Sequence, residues 1–393
     1  MKQILTLNNI SPAIGGVFDG QFSVSADCAA PDGILVRSFG MHDYALPESV
    51  LAVARAGAGT NNIPAQAYAE KGVVVFNTPG ANANAVKELV IAALLLGARK
   101  IIPSIEWVKT LKDSEDLNKR VEKGKSAFSG GELYGKKLGV IGLGAIGVQV
   151  ANAAVGLGME VFGYDPYLSV SNALLLSRHV SEIKTLDELY GQCDFITVHI
   201  PLTDQNKDMF DGQAFAKMKD GAVLVNLARG ELVDVPALLK ALASGKIGRY
   251  ITDFPHNDLI GAENAICIPH LGASTVEAEV NCAVMAAKQL KDYLENGNIA
   301  NSVNYPNCSL PRSGRSRITL HHLNQNSMIA KITSVLAENG ANIENFVNKS
   351  RGNYAYSIID VNTDIPEFAV DKLRKIDGVI RVLSLIHISE PTR

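Results

Sequence analysis

The stretch KKLGVIGLGAIGVQVANAAVGLGMEVFGYD, Lys136–Asp165, decides the fold. Its apolar run Leu138–Ile141 is too short for a helix and reads as a buried strand. Gly142, Gly144 and Gly147 follow as GxGxxG, after which Ile146, Val150, Ala153, Ala154 and Leu157 recur at helical spacing. A second short strand, Glu160–Tyr164, ends at Asp165, roughly 20 residues beyond the glycines. Strand, glycine turn, helix, strand and acid in that order make a dinucleotide site. Gly142 permits the tight turn, Gly144 admits a pyrophosphate, and Gly147 lets helix and strand close up. Ala145 and Ile146 open the helix, whose unpaired N–H groups suit an anion. Asp165 would accept bonds from ribose hydroxyls and repel a 2′-phosphate, which favours NAD over NADP.

Outward from this unit the same alternation continues in both directions. Upstream, Ile4–Leu7, Ile34–Val36, Val50–Arg55 and Val73–Phe76 read as strands of a first α/β unit. Arg37-Ser38, Gly57-Ala58-Gly59 and Asn82 follow its strands, at the edge where open α/β sheets bind ligands, although a plain turn is the commoner role for such residues. Ile101–Gly135 reads as a surface helix and loop, with Trp107 as packing at a domain or subunit contact. Downstream, strands are expected at Asp194–His199, Ala222–Leu227, Ile247–Asp253 and Ile266–Ile268, then a long helix Val276–Leu294. Asn296–Arg315 reads as a linker, rich in Asn, Ser, Pro and Gly. Beyond it, strands Ile318–His321, Ile343–Lys349, Tyr354–Val361 and Val379–Leu383 and helices Met328–Glu338 and Phe368–Lys375 make a ferredoxin-like unit. Residues 384–393 continue no periodicity, resemble translated adaptor sequence and are given no function.

Bulk properties narrow the function. A chain of 393 residues has room for two or three domains. A net charge of −3 gives no electrostatic case for nucleic acid or an anionic membrane. Five scattered cysteines with no CxxC argue against a disulfide framework and against a metal site. The first 20 residues lack a signal-peptide pattern, and Leu89–Ala98 is too short to span a bilayer, so a cytoplasmic protein is expected.

Arg229 and His270 each follow a strand of the central sheet, on the same edge as the cofactor glycines. Hydride transfer at a carbinol needs a cation to hold a neighbouring carboxylate, an acid/base near pH 7, and an acid to orient that base. Arginine, histidine and an aspartate such as Asp258 suit those tasks. A capping arginine and a core histidine are the structural roles open to the first two.

GLGAIG, VHIPLT (Val198–Thr203), LVNLARGELVD (Leu224–Asp234) and PHLGAST (Pro269–Thr275) together resemble the D-isomer-specific 2-hydroxyacid dehydrogenases, and the C-terminal unit resembles an ACT domain. The resemblance implies an α/β architecture: a Rossmann-type doubly wound parallel sheet (89–284), a flavodoxin-like substrate domain (1–88 with 285–310) and a ferredoxin-like ACT domain (316–383). It implies Arg229 as the carboxylate arginine and His270 as acid/base, with Asp258 or Asn257 where the family has a glutamate. Val86, His199, Pro201 and Asp253 fall at cofactor positions, Arg37 at a substrate phosphate and Gly57–Gly59 near its carboxylate. The activity implied is NAD-dependent oxidation of 3-phospho-D-glycerate. Glycerate, glyoxylate or hydroxypyruvate are the alternative substrates, and an NAD-sensing corepressor-like role is the alternative outside catalysis. His322, Asn324 and Asn342 match serine-contacting positions of regulated relatives, while Asn326-Ser327 replaces their Pro-Gly. A homodimer or homotetramer is expected.

Overall fold

The computed structural model describes residues 1–386. Contacts divide the chain into two units, one made of Met1–Asn82 with the chain from Glu279 on, the other of Ala83–Ala278. From the sequence, boundaries at 88 and 285 and a separate ACT domain are expected. In the structure the whole helix Ala83–Ala98 goes with the dinucleotide unit, and the C-terminal sheet goes with the first unit.

In the first unit, β1 (Lys2–Leu7), β2 (Phe22–Ser25), β3 (Gly33–Val36), β4 (Ala52–Arg55) and β5 (Val74–Phe76) form a parallel sheet. Its order, β2-β1-β3-β4-β5, is flavodoxin-like. The edge strand β2 was not expected; four residues with one buried side chain carry little pattern. The helix Val276–Asn296 lays Ala283, Ala286, Ala287 and Leu290 on this sheet, and Gly33 is bare because Leu290 fills the space of a Cβ.

In the second unit, β6 (Lys137–Ile141), β7 (Glu160–Tyr164), β8 (Val180–Glu182), β9 (Phe195–Val198), β10 (Ala222–Asn226), β11 (Ile247–Thr252) and β12 (Ala265–Cys267) form one parallel sheet. The order β12-β11-β10-β9-β6-β7-β8 reverses direction at β6, which gives the doubly wound Rossmann arrangement. Arg249 caps the C-terminus of Ala83–Ala98 through Leu96 O at 2.7 Å and Arg99 O at 3.0 Å. Trp107 packs on Phe128, ring centroids 5.1 Å apart, over Gly124, where a Cβ would fall 2.3 Å from the indole.

β13 (Ser316–Leu323), β14 (Ile343–Arg351), β15 (Tyr354–Val361) and β16 (Val379–Ile386) form the antiparallel sheet β14-β15-β13-β16 of the ferredoxin-like segment. β16 runs three residues past the expected break, pairing Ser384, Leu385 and Ile386 with β13. Residues 387–393 of the expected foreign tail lie outside the described ones.

The expected linker is a buried strap. Asn304 donates to Ala65 O and Val73 O and accepts from Val75 N–H, and Tyr305 is fully buried with its hydroxyl on Ala69 O. Turn-forming residues here bond to neighbouring backbone instead of to water. Among the described residues no helix is long and apolar enough to cross a membrane.

Candidate active site

The dinucleotide turn begins where β6 ends. Gly142 has φ +89° and its N–H donates to Tyr164 O at 2.9 Å. A Cβ there would meet His199 O at 2.7 Å, and one on Gly147 would lie 1.8 Å from Gly142 O. Gly144 is different: φ is −72° and nothing lies within 4 Å of the position of its Cβ. Two of the glycines are therefore bare for the protein's own packing, and the third faces open space at the start of the helix Ala145–Gly156. Asp165 ends β7, its two oxygens accepting from Leu143 N–H and Tyr167 N–H, each at 2.8 Å. These bonds hold the carboxylate beside the glycine turn.

Along the same sheet edge two buried polar atoms have no partner among the described residues: His199 Nδ1 and Asp253 Oδ1. His199 follows β9, its Nε2 3.1 Å from Thr197 Oγ1, and burial pushes its imidazole down to about 3. Asp253 follows β11, with Oδ2 accepting from Gly272 N–H at 3.0 Å. Burial raises its pKa, opposed by that bond and by His270. Pro201 lies in a loop pinned by Asn206, which donates to Pro201 O and accepts from Thr203 N–H, both at 2.7 Å. Val86, buried in Ala83–Ala98, borders Gly272.

Arg229 is exposed just past β10, one Nη donating to Ala228 O at 2.6 Å. Its loop is organised by Asn226, fully buried, which donates to Arg229 O at 2.8 Å and accepts from Ala228 N–H and Arg229 N–H. Asn226 is a positioning residue the sequence reading quoted and passed over; an amide ending an all-apolar strand was its signal. His270 is exposed, with the Phe254 ring tilted beside it, centroids 4.7 Å apart. Both rings border a cavity of about 710 Å³ that also takes in Gly230, Tyr250 and Asp253. The third expected member stands apart. The structure pairs Asp258 with His256, 3.7 Å between Oδ2 and Nδ1, not with His270, and Asn257 is likewise exposed.

In the first unit Arg37 follows β3 and forms an ion pair with Glu279 at 2.7 Å. Arg55, at the end of β4, donates to Asn62 Oδ1 at 3.0 Å. Asn62 in turn donates to Phe39 O, joining the loops after the two strands. The Arg55 guanidinium lies against Gly57, in the space a Cβ would take. Ala58 O accepts from Asn77, Ser38 is exposed, and Gly59 and Asn82 are half-buried. Arg55 was not expected at the site; it closes a strand run and directly precedes the glycine loop, and that was the available signal.

Of the expected serine positions, His322 is buried, with Nδ1 2.8 Å from Leu323 O and Nε2 3.1 Å from both Asn348 and Ser357. Asn324 and Asn342 are exposed. The residues are thus not alike: the histidine is turned into the sheet's own polar contacts.

Residues 91–272 match the D-isomer specific 2-hydroxyacid dehydrogenase, NAD binding domain family. A D-3-phosphoglycerate dehydrogenase of Haemophilus influenzae is 34% identical over 338 residues, 82% of this chain and 78% of the relative. The chain belongs to the D-isomer-specific 2-hydroxyacid dehydrogenases. Another relative in the family, the D-3-phosphoglycerate dehydrogenase of Escherichia coli K12, is 33% identical over 350 residues, 85% and 81% of the two chains. The NAD+-bound 3-phosphoglycerate dehydrogenase structure from Entamoeba histolytica superposes with a TM-score of 0.60 at 26% identity, covering 77% of this chain and 98% of that one. The chain is an NAD-dependent oxidoreductase of this family. Its residues fit the cofactor: an open approach at Gly144, an acid anchored beside it, and a buried Asp253 oxygen with no partner among the described residues.

Proposed function

We propose that this chain oxidises 3-phospho-D-glycerate to 3-phosphohydroxypyruvate with NAD, the first step of phosphorylated serine biosynthesis, as a cytoplasmic homodimer or homotetramer. The observation that carries this is that both bacterial relatives, aligned over about four-fifths of either chain, are D-3-phosphoglycerate dehydrogenases.

The reaction removes a proton from the C2 hydroxyl and a hydride from C2. NAD, when bound, supplies the hydride acceptor; the rest falls to the chain. Gly142, Gly144, Ala145, Ile146 and Gly147 would hold the pyrophosphate and Asp165 the ribose. Val86, His199 and Pro201 would line the cofactor, and Asp253 Oδ1 would accept from the carboxamide. His270 takes the hydroxyl proton, and Arg229 holds the carboxylate and polarises the oxygen as it becomes a carbonyl. Asp258, on exchanging His256 for His270, would stabilise the imidazolium. Arg37 with Arg55 takes the phosphate, while Ser38, Gly57, Ala58, Gly59 and Asn82 supply donors for the rest of the substrate. L-Serine is the proposed ligand of the ferredoxin-like segment, met by Asn324 and Asn342 with His322 behind them.

Incubation with 3-phosphoglycerate and NAD at alkaline pH, with product trapping, should raise the absorbance of reduced cofactor. Turnover of glycerate, glyoxylate or hydroxypyruvate in place of 3-phosphoglycerate would remove the substrate assignment. His270→Asn should lower kcat at least about 100-fold and leave NAD affinity intact. Calorimetric titration with L-serine that releases no heat would remove the effector.

A further inference from the structure

The cationic groups of the first unit are not idle. Arg37 is held by Glu279 at 2.7 Å, and both side chains are part-exposed, at 36% and 44%. Arg55 ends the neighbouring strand, in register with Val36, and donates to Asn62. The buried thiol of Cys282, one turn along the helix from Glu279, feels Arg37, Arg55 and Glu279 together. The Glu279 carboxylate sits in the first turn of Val276–Asn296, where the helix dipole favours an anion.

We propose that Glu279 is a specificity-determining residue: an internal anion that occupies Arg37 and must yield it to the phosphate of the substrate. The inference rests on the phosphate role given to Arg37 above. A phosphomonoester carries nearly two negative charges at pH 7. On entry it competes with the Glu279 carboxylate for the Arg37 guanidinium, a competition that a glutamine there does not offer. Glu279 therefore weakens phosphate binding by holding Arg37 in the absence of substrate. The competition is local and partly solvent-screened, so its size is modest.

The test uses the full chain and inorganic phosphate as the probe. Titration calorimetry on wild type and Glu279→Gln should show phosphate bound roughly three- to tenfold more tightly by the variant. The KM for 3-phosphoglycerate should fall by a similar factor with kcat changing less than about twofold. In an Arg37→Ala background the same Glu279→Gln change should give no gain, because the pair it breaks is already absent. Equal or weaker phosphate binding by Glu279→Gln, no binding by either protein, or a gain that persists without Arg37 would each overturn the proposal. If phosphate binding behaves as expected and 3-phosphoglycerate is not turned over, the substrate assignment falls and the role of Glu279 stands.

Discussion

At the scale of single residues, three glycines of one motif separate into two physical kinds. Gly147 has no room for a Cβ, whose nearest neighbour would be Gly142 O at 1.8 Å. Gly144 has room and an ordinary φ of −72°. Gly147→Ala should therefore damage the fold itself, lowering stability by about 2 kcal/mol or more through overpacking against backbone. Gly144→Ala should fold with an unchanged melting temperature and lose NAD affinity at least about tenfold, since only a bound pyrophosphate would meet the new methyl. Thermal melts and NAD titrations of the two variants check the pair, and equal behaviour would contradict it. Ser327 presents the opposite case. It precedes the helix Met328–Glu338 at φ +63°, a left-handed conformation, with no side-chain capping bond. Ser327→Gly should stabilise the chain by about 0.5–1 kcal/mol in urea denaturation, by relieving that strain.

At the scale of elements, β13 is tied down by a buried ion pair. Arg317 and Asp360 are both fully buried and bonded bidentately at 2.6 and 2.7 Å. The guanidinium also donates to Asn296 O, Leu310 O and Pro311 O, and Asp360 also accepts from Ser313, so every strong group is satisfied. Asp360→Asn leaves a charge unpaired in a dry place and should cost about 3–5 kcal/mol by chemical denaturation, whereas Arg317→Met with Asp360→Leu should recover much of that loss. This strap is also where legibility ended. Most of the parallel strands could be read because they are short apolar runs ended by a polar residue, as Val74–Phe76 is by Asn77 and the run from Ala222 is by Asn226. Segment 296–315 carries the composition of a loop, and its burial depends on Asn304 finding the backbone of Ala65 and Val73, more than 230 residues away in sequence. No local pattern encodes such a bond. The site divides in the same way. Glycines, Asp165, Asn226, Arg229 and His270 have chemistry written in their own neighbourhood, whereas Glu279 acts on Arg37, far away in sequence and brought near by folding. Asp258 has the chemistry of a partner acid, and that chemistry does not say which histidine it meets.

At the scale of the whole molecule, each of the two units holds a histidine whose basicity burial lowers. His199 in the dinucleotide unit is pushed down to about 3 by burial. His321 in the other is driven well below its usual range by burial, then by Arg381 and His322. Its Nε2 meets Tyr293 OH at 2.8 Å, and the rings of Tyr305 and Tyr356 enclose it at 4.6 Å. Both imidazoles stay neutral in the native state through mild acid. In the unfolded chain they take up a proton near pH 6.5, so below that pH the unfolded state binds more protons and stability falls as pH falls. The loss starts at the unfolded value and continues down towards the native one, at about 1.4 kcal/mol per pH unit for each histidine. Between about pH 6.5 and 5 ordinary carboxylates remain ionised, so within that window the slope belongs to histidine. Urea denaturation from pH 7 to 5 should therefore show each unit losing about 2 kcal/mol. His321→Asn should be less stable than wild type at pH 7, having lost the ring contacts and altered the bond to Tyr293. Its pH slope in the unit built from both ends of the chain should nevertheless flatten, while that of the dinucleotide unit is unchanged. A wild type equally stable at pH 7 and 5 would show that these rings accept protons in the folded state, and with them the water that their burial is taken to exclude.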